Sequence, residues 1–303
     1  MRAARQRGPP VAHEPKAAGS SRFRTLDSYR ARREWQRYEG TGQRDLYREL
    51  RERFLVRNAA VDGWVTDLGS GPGRFLPFIG RDGSRRVALD ISREMLNLLP
   101  EVWRTLDRTT PTPHRILGDA RHPPFAPGTF SAVVVLGNAI GFAAADADLL
   151  LRGAMELVSP GGVAAVEIAP ASGERSRYLT RLPPTSVARL LRAPIRAVLH
   201  RLDPEGFVLE PTRHDSKPSF RRLSPTEVRS RFERNGWESL ETLAVAPVLG
   251  PDPLRISAVR TDPKAWSHLL ELEEEVGRRP ERWGRAAAVL ISARRPSLMR
   301  MIK

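Results

Sequence analysis

Short apolar runs that each end in a polar residue or a glycine recur through the first half of the chain. Val65 to Leu68 ends on Gly69, Val87-Ala88-Leu89 on Asp90, and Ile116-Leu117 on Gly118-Asp119. Phe130 to Leu136 ends on Gly137-Asn138, and Val163 to Ile168 closes the series. Runs of this length predict five buried strands. Helical spacing separates them. Leu46, Leu50, Phe54 and Leu55 predict a helix over 44–57. Ser92 followed by Glu94 predicts a capped helix from Arg93 to Leu99, and Leu149, Leu150, Met155 and Leu157 one over 146–157. Later, Ser224-Pro225-Thr226-Glu227 is a strong helix start, with Gly236 as its stop. Trp237–Val248 and Ala286–Ala293 read as two more strands. The ligands of open parallel α/β sheets bind outside the carboxyl ends of such strands.

The first strand runs into Asp67-Leu68-Gly69-Ser70-Gly71-Pro72-Gly73-Arg74. Glycines at every second position let the backbone take positive φ and approach a ligand closely. In the dinucleotide fingerprint G-x-G-x-x-G the third glycine comes one residue later than it does here, which speaks against a nicotinamide dehydrogenase. Asp90 follows at about the distance where a ribose-binding carboxylate belongs.

These motifs, in this order, resemble the class I S-adenosylmethionine-dependent methyltransferases, from about Trp64 to Ile168 and weakly beyond. The glycine turn matches the family's first motif and Asp90 the second. Gly118-Asp119-Ala120 matches the third, the run into Asn138 the fourth, and Ser159-Pro160-Gly161-Gly162 the fifth. The resemblance implies an α/β Rossmann-like three-layer sandwich, whose seven-stranded, mostly parallel sheet has an antiparallel last strand. It implies S-adenosylmethionine as cofactor, held by the turn residues Asp67, Gly69, Ser70, Gly71 and Gly73. It further implies ribose contacts from Asp90, adenine contacts from Ile91, Asp119 and Ala120, and Asn138 near the sulfonium. Carboxylates suit a cofactor that offers hydroxyl and amino donors. Arg74 and the short segment 74–79 would face the cofactor carboxylate, and Tyr38, Gly40 or Arg44 would close over it.

Composition narrows the chemistry. The 303 residues include no cysteine, which removes disulfides, thiolate metal sites and any covalent cysteine mechanism. No metal site is expected. The net charge of +15 suggests nucleic acid, but all but four of the 50 basic residues are arginine, a bias that a GC-rich genome also produces. No apolar run is long enough to span a membrane, and the basic N-terminus lacks an apolar signal core, so a cytoplasmic protein is expected.

Residues 1–23 read as a disordered basic tail and 24–296 as the methyltransferase domain, with leading helices over 24–58 and a tail at 297–303. Residues 171–222 are too long for a loop and predict a lid, with an amphipathic helix from Val187 to Leu202 kinked at Pro194. Residues 250–284 form a second insertion with a Glu-rich helix near 264–276. Candidates for a general base are Glu167, His122, Tyr178, His200 and His214, and Asn138 is a further catalytic candidate at a strand end. The fourth motif lacks the Asn-Pro-Pro-aromatic signature of enzymes that methylate the amino groups of nucleic-acid bases. The expected acceptor is therefore O or N of a small molecule. An RNA methyltransferase using the basic tail and lid, and a non-catalytic nucleotide- or partner-binding protein, are the alternatives.

Overall fold

The computed structural model describes residues 35, 42–107, 109–170, 174–177, 184–192, 208–211, 221–249, 253–284 and 286–297. The described strands are β1 (Trp64–Leu68), β2 (Arg85–Asp90), β3 (His114–Leu117), β4 (Phe130–Val135), β5 (Val158–Ile168), β6 (Glu174–Arg177), β7 (Val208–Pro211), β8 (Glu238–Val245) and β9 (Ala288–Arg294). The helices are α1 (Gly42–Asn58), α2 (Arg93–Leu106), α3 (Ala139–Phe142), α4 (Ala147–Leu157), α5 (Pro184–Leu190), α6 (Pro225–Arg234), α7 (Pro253–Arg260), α8 (Pro263–Gly277) and α9 (Pro280–Trp283).

Seven strands form one sheet in the order β3-β2-β1-β4-β5-β9-β8, and β6 pairs with β7 in a separate antiparallel ribbon. Strands β1 to β5 are parallel, and β9 runs antiparallel to both β5 and β8. The expected Rossmann-like sheet with an antiparallel last strand is therefore what the chain forms. Alternation along the strands sends Val65, Ala88, Val134 and Ala165 into a core shared with α1, α2, α7 and α8. Leu68, Leu89, Val133 and Val166 enter a second core with α4 and α6. The sheet is thus buried on both faces, which is why its parallel strands read as continuous apolar runs. Chain order reverses between β1 and β4, and the carboxyl ends of these two strands are where open α/β sheets place their ligand crevice.

Three boundaries differ from the sequence expectation, each for a local reason. Helix α2 runs on through Pro100 to Leu106 instead of stopping at Leu99. Proline has no N–H to give Leu96 O four residues back, but Arg115 Nη1 of β3 donates to that oxygen at 3.1 Å. Val102 and Trp103, buried one turn later, hold the extension down. After the glycine turn only a 3₁₀ turn forms, Leu76–Phe78. Pro77 lacks a donor, and buried Arg86 Nε takes the Leu76 and Ile79 carbonyls at 3.0 and 3.1 Å. Strand β5 begins at Val158, before the glycines, because Phe130 pairs with Val158 and the register resumes only at Ala132 with Val163.

The leading-helix expectation over 24–41 lies outside the described residues except for Trp35, as do Tyr38, Gly40, Tyr178, His200, His214 and the helix beyond Arg192. Within 171–222, α5 buries Val187 and Leu191 in the α1-side core. Leu191 O lies 2.8 Å from His268 Nδ1, and Arg192 Nε donates to Asp262 at 2.5 Å. The first insertion is therefore anchored on the second, whose α8 occupies the expected Glu-rich stretch.

Candidate active site at the strand ends

Register places three carboxylates on one face of the sheet. Asp67 pairs across β1 with Ala88 and Val134, and Val134 pairs with Ala165. Asp90 and Glu167 lie two residues beyond Ala88 and Ala165, so they share the α1 face one step nearer the carboxyl ends. Gly69 occupies the corresponding step on β1.

The glycine turn is fixed by β2. Gly69 N and Ser70 N both donate to Leu89 O, at 2.8 and 3.0 Å, and Gly71 N donates to Asp90 Oδ2 at 2.7 Å. Gly69 and Gly71 have φ of +77° and +55°. A Cβ on Gly69 would lie 2.9 Å from the Ala139 Cβ, whereas one on Gly71 would meet nothing within 4 Å. The turn is thus closed on the α3 side and open at Gly71. Asp90 Oδ1 accepts from Ser92 N at 2.8 Å, so each of its oxygens holds a backbone donor and keeps room for a second. Burial raises the Asp90 pKa, against the lowering effect of these N–H groups.

Asp67 is buried, and its Oδ1 has no hydrogen-bond partner. Burial, and then the charges of Asp90 and Glu167, push its pKa up to about 8. Glu167 is fully buried and tied to α1. Arg51 Nε and Nη2 donate to its two oxygens, both at 2.7 Å. Glu167 Oε2 also accepts from Gly137 N at 3.3 Å. This holds the turn after β4, where Gly137 and Asn138 both have φ of +62°. Asn138 Oδ1 is buried there without a partner.

At the other end of the crevice Asp119 is saturated. Its Oδ1 accepts from Arg121 N and Nε at 2.9 and 3.0 Å, and its Oδ2 from Arg121 Nε and Nη2 at 3.0 and 2.6 Å. Burial alone would raise the Asp119 pKa, but the bonds from Arg121 outweigh it and hold the carboxyl below its ordinary value. Arg121 Nη1 also reaches Asp146 at 2.6 Å, so the loop after β3 is pinned to the start of α4. Ile91 and Ala120 flank this end half-buried, and His122 points to solvent. Arg74 is turned toward Trp35, stacking 4.4 Å from the ring centre and donating to Trp35 O at 3.2 Å.

The crevice thus gathers Asp67, Gly69, Ser70, Gly71, Asp90, Asn138 and Glu167, and leaves His122 at the surface. Gly73 packs inward, with Leu99 and Leu76 where its Cβ would lie. Arg51 and Arg121 escaped the sequence reading. Arg51 sits one turn after Tyr47 on the buried arc of α1, a charge on an apolar face. Arg121 follows Asp119 by two, the spacing of a side chain that folds back on a turn. Among the described residues no group of acids and histidines is arranged to hold a metal ion. No described helix is long and apolar enough to cross a membrane.

Comparison with known proteins agrees with this architecture. Residues 65–162 match a family model described as a methyltransferase domain. No curated protein matches the chain by sequence. Among solved structures, a methyltransferase from Haloferax volcanii, determined in complex with the Trm112 methyltransferase activator, is 19% identical with a TM-score of 0.51. The match covers 89% of this chain and 98% of that one. Magnesium protoporphyrin IX methyltransferase from Synechocystis, solved with bound S-adenosylmethionine, is 12% identical with a TM-score of 0.48, over 89% and 93% of the two chains. Residues 65–162 thus carry a methyltransferase domain, set in the sheet order of the Rossmann-like methyltransferase fold.

Proposed function

We propose that the crevice holds S-adenosylmethionine and that the protein methylates O or N of a small-molecule acceptor. The observation that carries this reading is Asp90: each oxygen already anchors one backbone N–H and keeps a free acceptor position beside the open Gly71. That donor set fits a ribose diol. The bare Oδ1 atoms of Asp67 and Asn138 fit the amino donor and the cationic sulfur of the methionine part. Ser70 and Gly73 shape the turn, and Ile91 and Ala120 flank the base. Asp119 takes the adenine amino group in exchange for an Arg121 N–H.

When bound, the cofactor supplies an already activated methyl group. What remains for the protein is alignment of the acceptor and exclusion of water. Glu167 serves by positioning, since Arg51 holds both its oxygens and Glu167 in turn holds Gly137 N. The insertions 171–222 and 250–284 act as the cap that chooses the acceptor. The reading of this cap rests on α5, which is anchored on α8 through Leu191 and Arg192.

Calorimetric titration with S-adenosylmethionine tests the cofactor assignment. Micromolar binding is expected, weakened about 100-fold in Asp90→Ala, the scale of two lost bonds to a charged acceptor. A folded wild-type protein that binds none of the cofactor refutes the assignment. Screening then proceeds from small acceptors to RNA, where binding that collapses with rising salt points to the RNA alternative instead.

A further inference from the structure

The arginines around the strand ends are mostly spent on acids of the protein itself. Arg51 neutralises Glu167, and Arg121 spans Asp119 and Asp146. Arg221 and Arg231 both reach Asp148. On the β5 side Arg222 is the exception. It is half-buried, yet among the described residues it meets no carboxylate. Its hydrogen bond there is a long one, from Nη1 to Pro170 O at 3.4 Å.

Backbone register sets the direction of this side chain. Leu223 N donates to Ala169 O at 3.0 Å, and Leu223 pairs with Pro170 in a parallel bridge, so residues 221–223 extend alongside the end of β5. Leu223 enters the core with α4 and α6, and Arg221 turns to the same side to meet Asp148 on α4. Alternation sends Arg222 the other way, to the sheet face that carries Glu167 and, two residues on, Ala169. The same segment is laid against α3. Arg221 N donates to Gly141 O at 2.9 Å, and Phe142 N donates to Asn138 O at 3.1 Å. Phe142, one turn past Asn138, is left 41% exposed. One strap thus brings a cation without an acid and an uncovered aromatic ring to the same corner of the crevice, beside Asn138.

Resting on the cofactor reading above, we infer that the acceptor is a small carboxylic acid with an apolar body. Arg222 takes its carboxylate, Phe142 supports the apolar part, and the O or N that receives the methyl group lies elsewhere on the same molecule. A guanidinium offers a planar fork of donors that matches a carboxylate through parallel bonds. Charge favours a carboxylate over a phosphate dianion, because Arg222 brings a single positive charge and its neighbours Arg51 and Arg221 are already paired. Glu167, the acid on the same strand, is neutralised by Arg51 and does not repel an anion held there.

The test is calorimetric titration of the full chain, saturated with S-adenosylhomocysteine, with benzoate, phenylacetate and octanoate, with their neutral amides, and with phenyl phosphate. At least one carboxylate should bind about 10- to 100-fold more tightly than its amide, the scale of hydrogen bonds between charged groups. Arg222→Gln should remove that difference, and Arg222→Lys should restore part of it. Phe142→Ala should weaken acid and amide alike. Acids that bind no better than their amides, or a preference that survives Arg222→Gln, overturn the inference. Phenyl phosphate binding more tightly than every carboxylate overturns it in favour of a phosphorylated acceptor. If Arg222→Gln does not fold, the wild-type comparison of acid with amide decides alone. Failure of the chain to bind S-adenosylhomocysteine overturns the cofactor reading instead, and the same titrations without that compound then decide the inference.

Discussion

At one end of the crevice Asp67 Oδ1 and Asn138 Oδ1 are buried without partners, while at the other Arg121 fills both oxygens of Asp119. Two aspartates are thus used in opposite ways, with β2 between β1, which carries Asp67, and β3, which leads to Asp119. A bare buried acceptor costs roughly 1–3 kcal/mol until a donor arrives, so the end proposed to take the methionine part is built to gain on binding. A saturated acceptor must give up a bond to gain one, so the end proposed for adenine is built to hold its loop. Binding energy should therefore come mainly from the methionine and ribose end. The Asp119 loop should contribute order more than affinity.

The harshest way to break this contrast is to strip the methionine end of its support. In Glu167→Ala, Arg51 would keep its burial and lose its carboxylate, and Gly137 N would lose its acceptor. Breaking one side of a buried pair costs about 3–5 kcal/mol, and urea denaturation should show a loss of that size. Replacing both partners, Arg51→Met with Glu167→Leu, should recover much of the stability. It should not recover cofactor binding, because the Gly137–Asn138 turn loses its tether. If the double variant binds as well as wild type, Glu167 is a packing residue and the proposed positioning role is wrong.

Acids raised by burial and acids held low by hydrogen-bond partners also predict opposite pH responses of stability. Asp67 titrates near 8 and Glu273 near 7, both raised first by burial; Glu273 keeps two bonds, from Val248 N and Leu249 N. In the native state these groups hold protons that the unfolded chain gives up near pH 4. Their contribution is therefore complete below about pH 4 and is lost as pH rises toward 7 to 8. Asp119, Asp148 and Glu241 are held low by arginine partners; for Asp107 burial is the largest single effect and raises the pKa, but the bonds from Thr109 and Thr110 together outweigh it and hold the carboxyl at about 2. These groups lose their stabilisation only as pH falls through their lowered pKa values. Stability should peak near pH 4 to 5 and fall by about 1–3 kcal/mol by pH 8.5. Asp67→Asn should flatten the alkaline limb. A denaturation midpoint unchanged between pH 6 and 8.5 contradicts the proton assigned to Asp67.

What could be read from the sequence was the part that repeats a local rule. A buried parallel strand must be apolar along its length and must end where a ligand can enter, so β1 to β5 and the acids Asp67 and Asp90 stand out. The partners of those acids do not. All but four of the 50 basic residues are arginine, so Arg51 carries no signal beyond falling on the buried arc of α1. The passage of α2 through Pro100 depends on a donor from Arg115, which no helical pattern includes. The β6–β7 ribbon was missed because Glu174-Arg-Ser-Arg177 shows no apolar alternation; cross-strand pairing with Val208–Pro211 makes it a strand.

The mildest and most discriminating change is at the adenine end. Because Arg121 occupies Asp119 on both oxygens, Asp119→Asn in the wild-type background should weaken cofactor binding by less than about threefold, a fraction of one ordinary hydrogen bond. Removing Arg121 first alters the expectation. Arg121→Ala also releases Asp146 and loosens the loop after β3, so affinity itself should move little. In that background, however, the acceptors of Asp119 are free for the base, and Asp119→Asn should now cost about tenfold. The coupling between the two substitutions, about 1 kcal/mol in a double-mutant cycle of calorimetric affinities, measures how far the guanidinium and the adenine amino group compete for one carboxylate. Independent effects would mean that both fit on Asp119 together, and the contrast between the two ends would reduce to a difference in burial.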